Sequence, residues 1–268
     1  FIHRLVLSCY IWSLKEWNLD RFIHFMVFKP LKLLGHKLDF LTYRSVLLYF
    51  VPSYLIGVTL LLIGYKLPPM VHSWLPLVFA FIALLMVLKS FTERKSARLS
   101  WTMLLMNHFW MVLAIAENEN FSGEEIAMYL SGVIIFGVSG LLVISWMKRN
   151  IGQSGLFEYH GYIRRFPFLG FLFLLSTLGL MGFPLSPTFI GEDLLFSHIH
   201  QDQYLLAFFA AMAFVMEGIA AIRIFARLFL GNKRQEPEVT FGDSLAARFN
   251  QNRGSEEAFK STSYKNSI

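Results

Sequence analysis

The sequence predicts an all-α, polytopic transmembrane helix bundle with one discontinuous helix. Of its 268 residues, 55% are apolar in type and 16% are charged, which leaves too little polar surface to enclose a soluble core of this size. Apolar runs near the roughly 20 residues that a helix needs to cross the hydrocarbon core recur along the chain. The loops between these runs alternate in charge, and one run is interrupted by a glycine and two prolines.

Six apolar runs are predicted to be full spans. They are Val46 to Gly64, Trp74 to Leu88, Leu99 to Ala116, Ile126 to Met147, Phe166 to Met181 and Tyr204 to Leu230. A further apolar stretch, Phe1 to Trp12, is interpreted as the end of another span. Because the chain opens on Phe within an apolar run, we expect it to be a fragment or the distal part of a longer protein.

Basic residues are concentrated in every second loop. The basic loops are 13–44, 89–98 and 148–165, and Lys233 and Arg234 follow the last run. The loops between them are 65–73, with one lysine, and 117–125 and 188–203, which contain no Lys or Arg. This alternation is the pattern of the positive-inside rule. It predicts that the basic loops and the C-terminus are cytoplasmic.

The same pattern divides the chain into three parts. Residues 1–44 are predicted to hold a truncated span and a cytoplasmic amphipathic segment, 19–41, that is interrupted at Pro30. Residues 45–231 form the transmembrane bundle. Residues 232–268 are polar and of mixed charge, and we expect this tail to be disordered.

Motifs that would support cofactor or metal chemistry are absent from the sequence. It contains no P-loop, GxGxxG, HExxH or CxxC, its one cysteine is Cys9, and its His residues do not cluster at metal-ligand spacing. We therefore expect no cofactor, no metal and no enzymatic activity of this chain by itself. The net charge of +6 is explained by topology rather than by nucleic-acid binding.

Ionisable residues inside the apolar runs are the remaining candidates, because each costs about 2.5–3.5 kcal/mol to insert at the bilayer centre. Glu217 lies in the middle of the last run, where it is either a proton relay or a carboxylate satisfied by a neighbouring helix. Arg223, on the same run, is expected to pair with an acid on another span. His108 suits proton transfer by its ordinary pKa, and a structural hydrogen bond is the alternative.

The segment around Gly182, Pro184 and Pro187 must interrupt a helix, yet apolar residues continue on both sides. One interpretation is a span followed by an external amphipathic turn. The other is a discontinuous transmembrane helix over 166–200, with Glu192 just after the break. Broken helices at membrane depth line cavities or lie buried in protein, and they mark ion sites in transporters.

The stretches LGLMGFP (Leu178 to Pro184) and FIGE (Phe189 to Glu192) resemble the broken-helix motif of proton-conducting antiporter subunits. That family includes the large membrane subunits of respiratory complex I (NADH:quinone oxidoreductase), those of Mrp-type cation/proton antiporters, and the membrane subunit of energy-coupled inorganic-carbon pumps. The spans Arg98 to Ala116 and Ala221 to Gly231 resemble the neighbouring spans of the family. The resemblance extends over about residues 75–231.

The resemblance implies a proton path with Glu192 as its central carboxylate. The second-rank relay or counter-ion residues that it implies are Arg98, His108, Glu217 and Arg223. This sequence departs from the family pattern where His and Lys usually stand inside the membrane, because Tyr129, Val133 and Gly137 occupy those places. The family's first five-helix bundle is also absent, so the chain corresponds to about half of a channel unit.

The expected function is proton (or cation) translocation as a membrane subunit of a larger energy-coupling complex. Its expected partners are other membrane subunits and the lipid bilayer, in a bacterial inner membrane, and any redox centre would lie in another subunit. A non-conducting scaffold subunit and the membrane subunit of an inorganic-carbon uptake complex are the alternatives. A membrane enzyme using His108 or His160 is a more distant one, without an accompanying motif.

Overall fold

The computed structural model describes residues 10, 13, 19–63, 68–118, 122–152 and 155–231, and within these ranges it contains helices and no strand. The all-α class is confirmed. The helices are α1 (Leu19–Ile23), α2 (Lys29–Lys37), α3 (Tyr43–Ile63), α4 (Pro69–Thr92), α5 (Ala97–Asn118), α6 (Gly123–Ile151), α7 (Pro167–Leu180), α8 (Pro187–Ser197) and α9 (Tyr204–Phe229). A π-helical segment, His24–Phe28, joins α1 to α2. The stretch predicted as a truncated span and the polar tail lie outside the described residues, apart from residues 10 and 13.

Five of the described helices, α3, α4, α5, α6 and α9, are long and apolar enough to cross a bilayer. The chain is therefore a multi-pass membrane protein. The remaining predicted span, Phe166 to Met181, corresponds to α7, which has 14 residues and is too short to cross by itself. Helix α5 is the central one, since 83% of the residues in its apolar stretch are buried in the protein, against 12% for α3 at the periphery.

The predicted basic loop 89–98 is shorter in the structure. Helix α4 continues to Thr92 and α5 begins at Ala97, so the connection is only residues 93–96. Lys89, predicted to lie in a loop, is on α4 and is 1% exposed, and Arg98 lies in the first turn of α5. A lysine ends an apolar run in the sequence, but a partner in the fold allows the helix to continue past it.

The basic and non-basic connections meet at opposite ends of the bundle. At one end, Leu156 N–H donates to Arg94 O and His160 N–H donates to Arg227 O, which ties the connection after α6 to the ends of α4 and α9. At the other end, the Asn118 amide donates to His198 O. We call these the basic end and the acidic end.

The predicted amphipathic segment is helical and packs against the basic end of α4. Gly35 lies so close to Thr92 that a Cβ at this position would have no room. The expected interruption at Pro30 takes the form of a change in helix type: regular α-helix ends at Ile23, and helical turns then continue through the proline. The backbone widens into the π segment just before the proline, and Lys29 N–H donates to His24 O, five residues back. This π turn accommodates a proline ring that would clash in a regular α-helix.

The discontinuous helix is formed by α7 and α8, separated by residues 181–186. Both pieces lie along α6 in succession, and their contacts proceed backwards along α6 as the chain advances. The contacts are Ser176 with Ser139, Thr188 with Gly132 and Gly191 with Tyr129. Helix α8 therefore continues the path of α7 antiparallel to α6. Of the two interpretations of this segment, the external turn is wrong.

Candidate functional site

The break between α7 and α8 places a carboxylate against a glycine. Gly182 has φ +67°, a left-handed conformation that suits glycine, and a Cβ there would collide with the Glu192 carboxylate. Leu185 also has a positive φ of 86°. Ser186 then caps α8 by accepting a hydrogen bond from Phe189 N–H, and Pro187 occupies the first turn, where its missing N–H costs nothing.

Glu192 faces the interior of the bundle. Its Oε1 atom is buried and accepts no hydrogen bond from the residues that the structure describes, and the same holds for the hydroxyl of Thr188, one turn earlier. Glu192 is close enough to Tyr129 and Glu217 to interact with both electrostatically. The break thus turns an otherwise apolar helix into one that presents polar side chains to the core.

A cluster of four buried polar side chains lies next to Glu192. The Asn107 amide donates to Glu217 Oε2 at 2.7 Å, and His108 Nδ1 shares a hydrogen bond of 2.6 Å with the Tyr129 hydroxyl. His108 Nε2 and Glu217 Oε1 approach to 2.6 Å, but this contact is not aligned as a hydrogen bond. None of the four is more than 1% exposed. We call these residues the central cluster.

Three helices position the central cluster. Asn107 and His108 are consecutive on α5 and both reach Glu217 on α9, while Tyr129 comes from α6. Gly191 has no side chain, so α8 approaches α6 until the Tyr129 ring lies directly on it. This close approach brings Glu192, the next residue on α8, within electrostatic range of Tyr129.

Three of the four groups in the central cluster are of types that can exchange protons. A carboxyl group, an imidazole and a phenol can each take up and release a proton. When a proton reaches Nδ1 of His108 from Tyr129, the ring can release its other proton from Nε2 toward Glu217. The 2.6 Å contact needs only a reorientation of ring or carboxylate to become a hydrogen bond, and such contacts are often imperfect at rest.

A second polar cluster lies at the basic end. The buried Lys89 ammonium contacts Asp39 at 2.7 Å and Glu93 at 2.9 Å. The hydrogen bond from Lys89 holds the pKa of Asp39 below its usual value. Arg223 donates to the backbone carbonyls of Ser90 and Glu93 at 2.8 and 2.9 Å, so it caps the C-terminus of α4.

The structure brings together only some of the residues singled out from the sequence. Glu217 and His108 are in contact, with Glu192 nearby. Arg223 is six residues from Glu217, about 9 Å along the helix, and bonds to backbone carbonyls rather than to the expected acid on another span. Arg98 is ten residues from His108, about 15 Å along α5. Neither arginine contributes to the central cluster.

Sequence patterns alone do not reveal three polar partners. Tyr129 was noted only as a replacement for a charged residue, although its hydroxyl is a proton carrier. Asn107 adjoins His108 in an apolar run, and that adjacency was a usable signal. Lys89 was assigned to a loop, and no local signal could show that Asp39, 50 residues away in sequence, would pair with it.

Comparison with known proteins yields partial matches. The chain is 30% identical over 115 residues to NADH-ubiquinone oxidoreductase chain 4 of Dictyostelium citrinum, covering 43% of this chain and 27% of the relative. It is 24% identical over 122 residues to NADH-quinone oxidoreductase subunit M of Rickettsia bellii, covering 46% and 24%. It is 29% identical over 112 residues to subunit N of Moorella thermoacetica, covering 41% and 24%.

No family model and no solved structure matches the chain. Each match covers about a quarter of the relative's own length. These partial matches confirm the resemblance to antiporter-like subunits that the broken-helix motif predicts. Over less than half of its length, this chain is similar to the antiporter-like subunits of NADH-quinone oxidoreductase.

Proposed function

We propose that this chain translocates protons (or another cation) as a membrane subunit of a larger energy-coupling complex of the complex I or Mrp antiporter type. The observation that carries the proposal is the central cluster. It places a carboxylate, an imidazole and a phenol in sequence inside the bundle, beside the carboxylate of a broken helix.

The proton passes between Glu192 and the central cluster in this mechanism. Glu192 exchanges a proton with Tyr129, directly or through water admitted at the break. His108 accepts at Nδ1 and releases at Nε2, and Glu217 takes up the proton. The Asn107 amide holds one oxygen of Glu217, which leaves the other free to face the imidazole.

Burial cost supports a functional role for these groups. Ionisable side chains inside a membrane are expensive and are usually retained for transport or relay. Tyr129 also supports it, because the position where the family pattern is lost still holds a proton-carrying group hydrogen-bonded to His108.

A non-conducting scaffold subunit is the second candidate. The other two departures from the family pattern favour it: Val133 is buried and apolar, and Gly137 packs against Leu105. Membership of an inorganic-carbon uptake complex is a variant of the transport proposal, and the identity of co-purified subunits would distinguish it.

Topology and location follow from the same proposal. The basic end would face the cytoplasm, as the positive-inside rule requires, and the membrane would be a bacterial inner membrane. The partners would be other membrane subunits that complete the channel unit.

The test is proton flux in vesicles that carry the native assembly, comparing wild type with Glu192→Gln. Glutamine keeps the size and polarity of the side chain but cannot carry the proton. Asp193→Asn is the matched control, because Asp193 is the next residue and is exposed. We expect flux to collapse in the first variant and to persist in the second, with assembly intact in both. Unchanged flux in Glu192→Gln would favour the scaffold.

A further inference from the structure

Two cavities meet at the basic end of the bundle, outside the central cluster. The first, which we call the head cavity, has a volume of about 410 Å³. The second, the acyl cleft, has a volume of about 120 Å³ and lies between α3, α4 and α5. Leu41 lines both, so the two are neighbours. A polar chamber therefore adjoins an apolar one at the end of the membrane-spanning helices.

The head cavity has unpaired positive charge. Its acidic lining residues, Asp39 and Glu93, both contact the buried Lys89. Glu93 also accepts hydrogen bonds from the backbone N–H groups of residues 95 and 96. Arg94 and Lys95 line the same cavity, are exposed, and form no ion pair with a carboxylate among the described residues. These two cations are free to bind an anion.

The acyl cleft is lined by apolar and aromatic side chains. Its lining includes Val46 and Phe50 of α3, Ile82 and Met86 of α4, and Met106 of α5. Helix α3 contacts α5 mainly through aromatic rings, such as Phe50 on Trp110 with centroids 6.1 Å apart, and is otherwise little buried. An apolar space beside the least buried of the five long helices suits part of a lipid chain.

We propose that the two cavities form one binding site for an anionic phospholipid. Its phosphate contacts Arg94 and Lys95 in the head cavity, and a short segment of one acyl chain occupies the acyl cleft. Charge selects the headgroup, since basic pockets between transmembrane helices bind acidic headgroups. The lipid fills the gap beside α3 and ties this peripheral helix to the bundle.

The test is lipid binding to the purified full chain, measured by native mass spectrometry and thermal melting in detergent. Phosphatidylglycerol is titrated against phosphatidylcholine with the same acyl chains, and against inorganic phosphate. We expect the anionic lipid to bind about tenfold more tightly and to raise the melting temperature. Equal binding of the two lipids, or a phosphate effect equal to that of the lipid, would overturn the proposal.

Three variants separate the two parts of the site. Arg94→Gln combined with Lys95→Gln should abolish the preference for the anionic headgroup. Arg164→Gln combined with Arg165→Gln removes the same charge from exposed residues outside both cavities, and the preference should persist. Ile82→Trp fills the acyl cleft and should weaken both lipids alike. If the control pair removes the preference as fully as the first pair, the interaction is a non-specific surface attraction. Lipid binding is measured without any measurement of proton flux, so its outcome is independent of the transport proposal.

Discussion

Replacing Glu217 by glutamine separates proton transfer from structural support in the central cluster. The carboxylate accepts a hydrogen bond from Asn107 at 2.7 Å and contacts His108 Nε2 at 2.6 Å, and it is 1% exposed. A glutamine of the same volume keeps an oxygen for Asn107. Its amide nitrogen faces the imidazole and can donate to it. The cluster stays packed and satisfied, but one proton carrier is lost.

The two effects differ greatly in size. Hydrogen bonds between membrane helices contribute about 0.6 kcal/mol on average, so the unfolding free energy of Glu217→Gln should change by about 1 kcal/mol or less. Loss of a group that accepts and donates protons typically lowers a rate by about 10²–10⁴-fold. A fall of that size in flux cannot come from such a small change in stability.

The assay is proton flux in vesicles at matched levels of assembled complex, with thermal melting as the structural readout. Glu217→Ala is the contrasting variant. It removes the acceptor of the buried Asn107 amide and the contact of His108 Nε2, and it creates a cavity, which should cost about 3–5 kcal/mol. If Glu217→Gln retains flux within about twofold while Glu217→Ala loses assembly, Glu217 is structural and the relay through the central cluster is wrong.

Three further predictions follow from contacts in the same structure. Tyr129→Phe keeps the ring but removes the hydroxyl, so proton flux should fall while the melting temperature changes little. In the control Tyr204→Phe, at an exposed position, both flux and melting temperature should stay unchanged. Gly182→Ala puts a Cβ against the α8 carboxylate at positive φ and should cost about 1–3 kcal/mol by melting. Gly123→Ala, in open space, should be near neutral, and equal losses in both would contradict this account. Asp39 has a lowered pKa in the folded state, so its stabilising effect is present above its unfolded pKa and is lost as pH falls through the folded value. Melting between about pH 5 and about pH 3 should therefore depend less on pH in Asp39→Asn, and identical profiles would contradict the pairing.

Local sequence patterns determined the class of this protein and the position of its break. A bilayer offers no hydrogen-bond partners to the backbone, so spans are helices or barrel strands; barrel strands alternate in hydropathy, and continuous apolar runs therefore predict the all-α bundle. Gly182, Pro184 and Pro187 lie within six residues and together favour a break, so α7 and α8 could be anticipated as two pieces, whereas the single prolines Pro52 and Pro76 lie inside continuous helices. Near Pro30 the same rule predicts an interruption but not its form, which is a π turn that accommodates the proline.

The partners of the polar side chains were decided by the tertiary structure. Sequence reasoning named Glu217 and His108 separately, but only the packing of α9 on α5 brings them to 2.6 Å. Lys89 looks like the end of a span until Asp39 is placed beside it. Hydropathy and turn chemistry act over a few residues, whereas these contacts join residues 50 to 110 positions apart. The burial of a charge depends on its partner, and the partner is known only once the helices have packed.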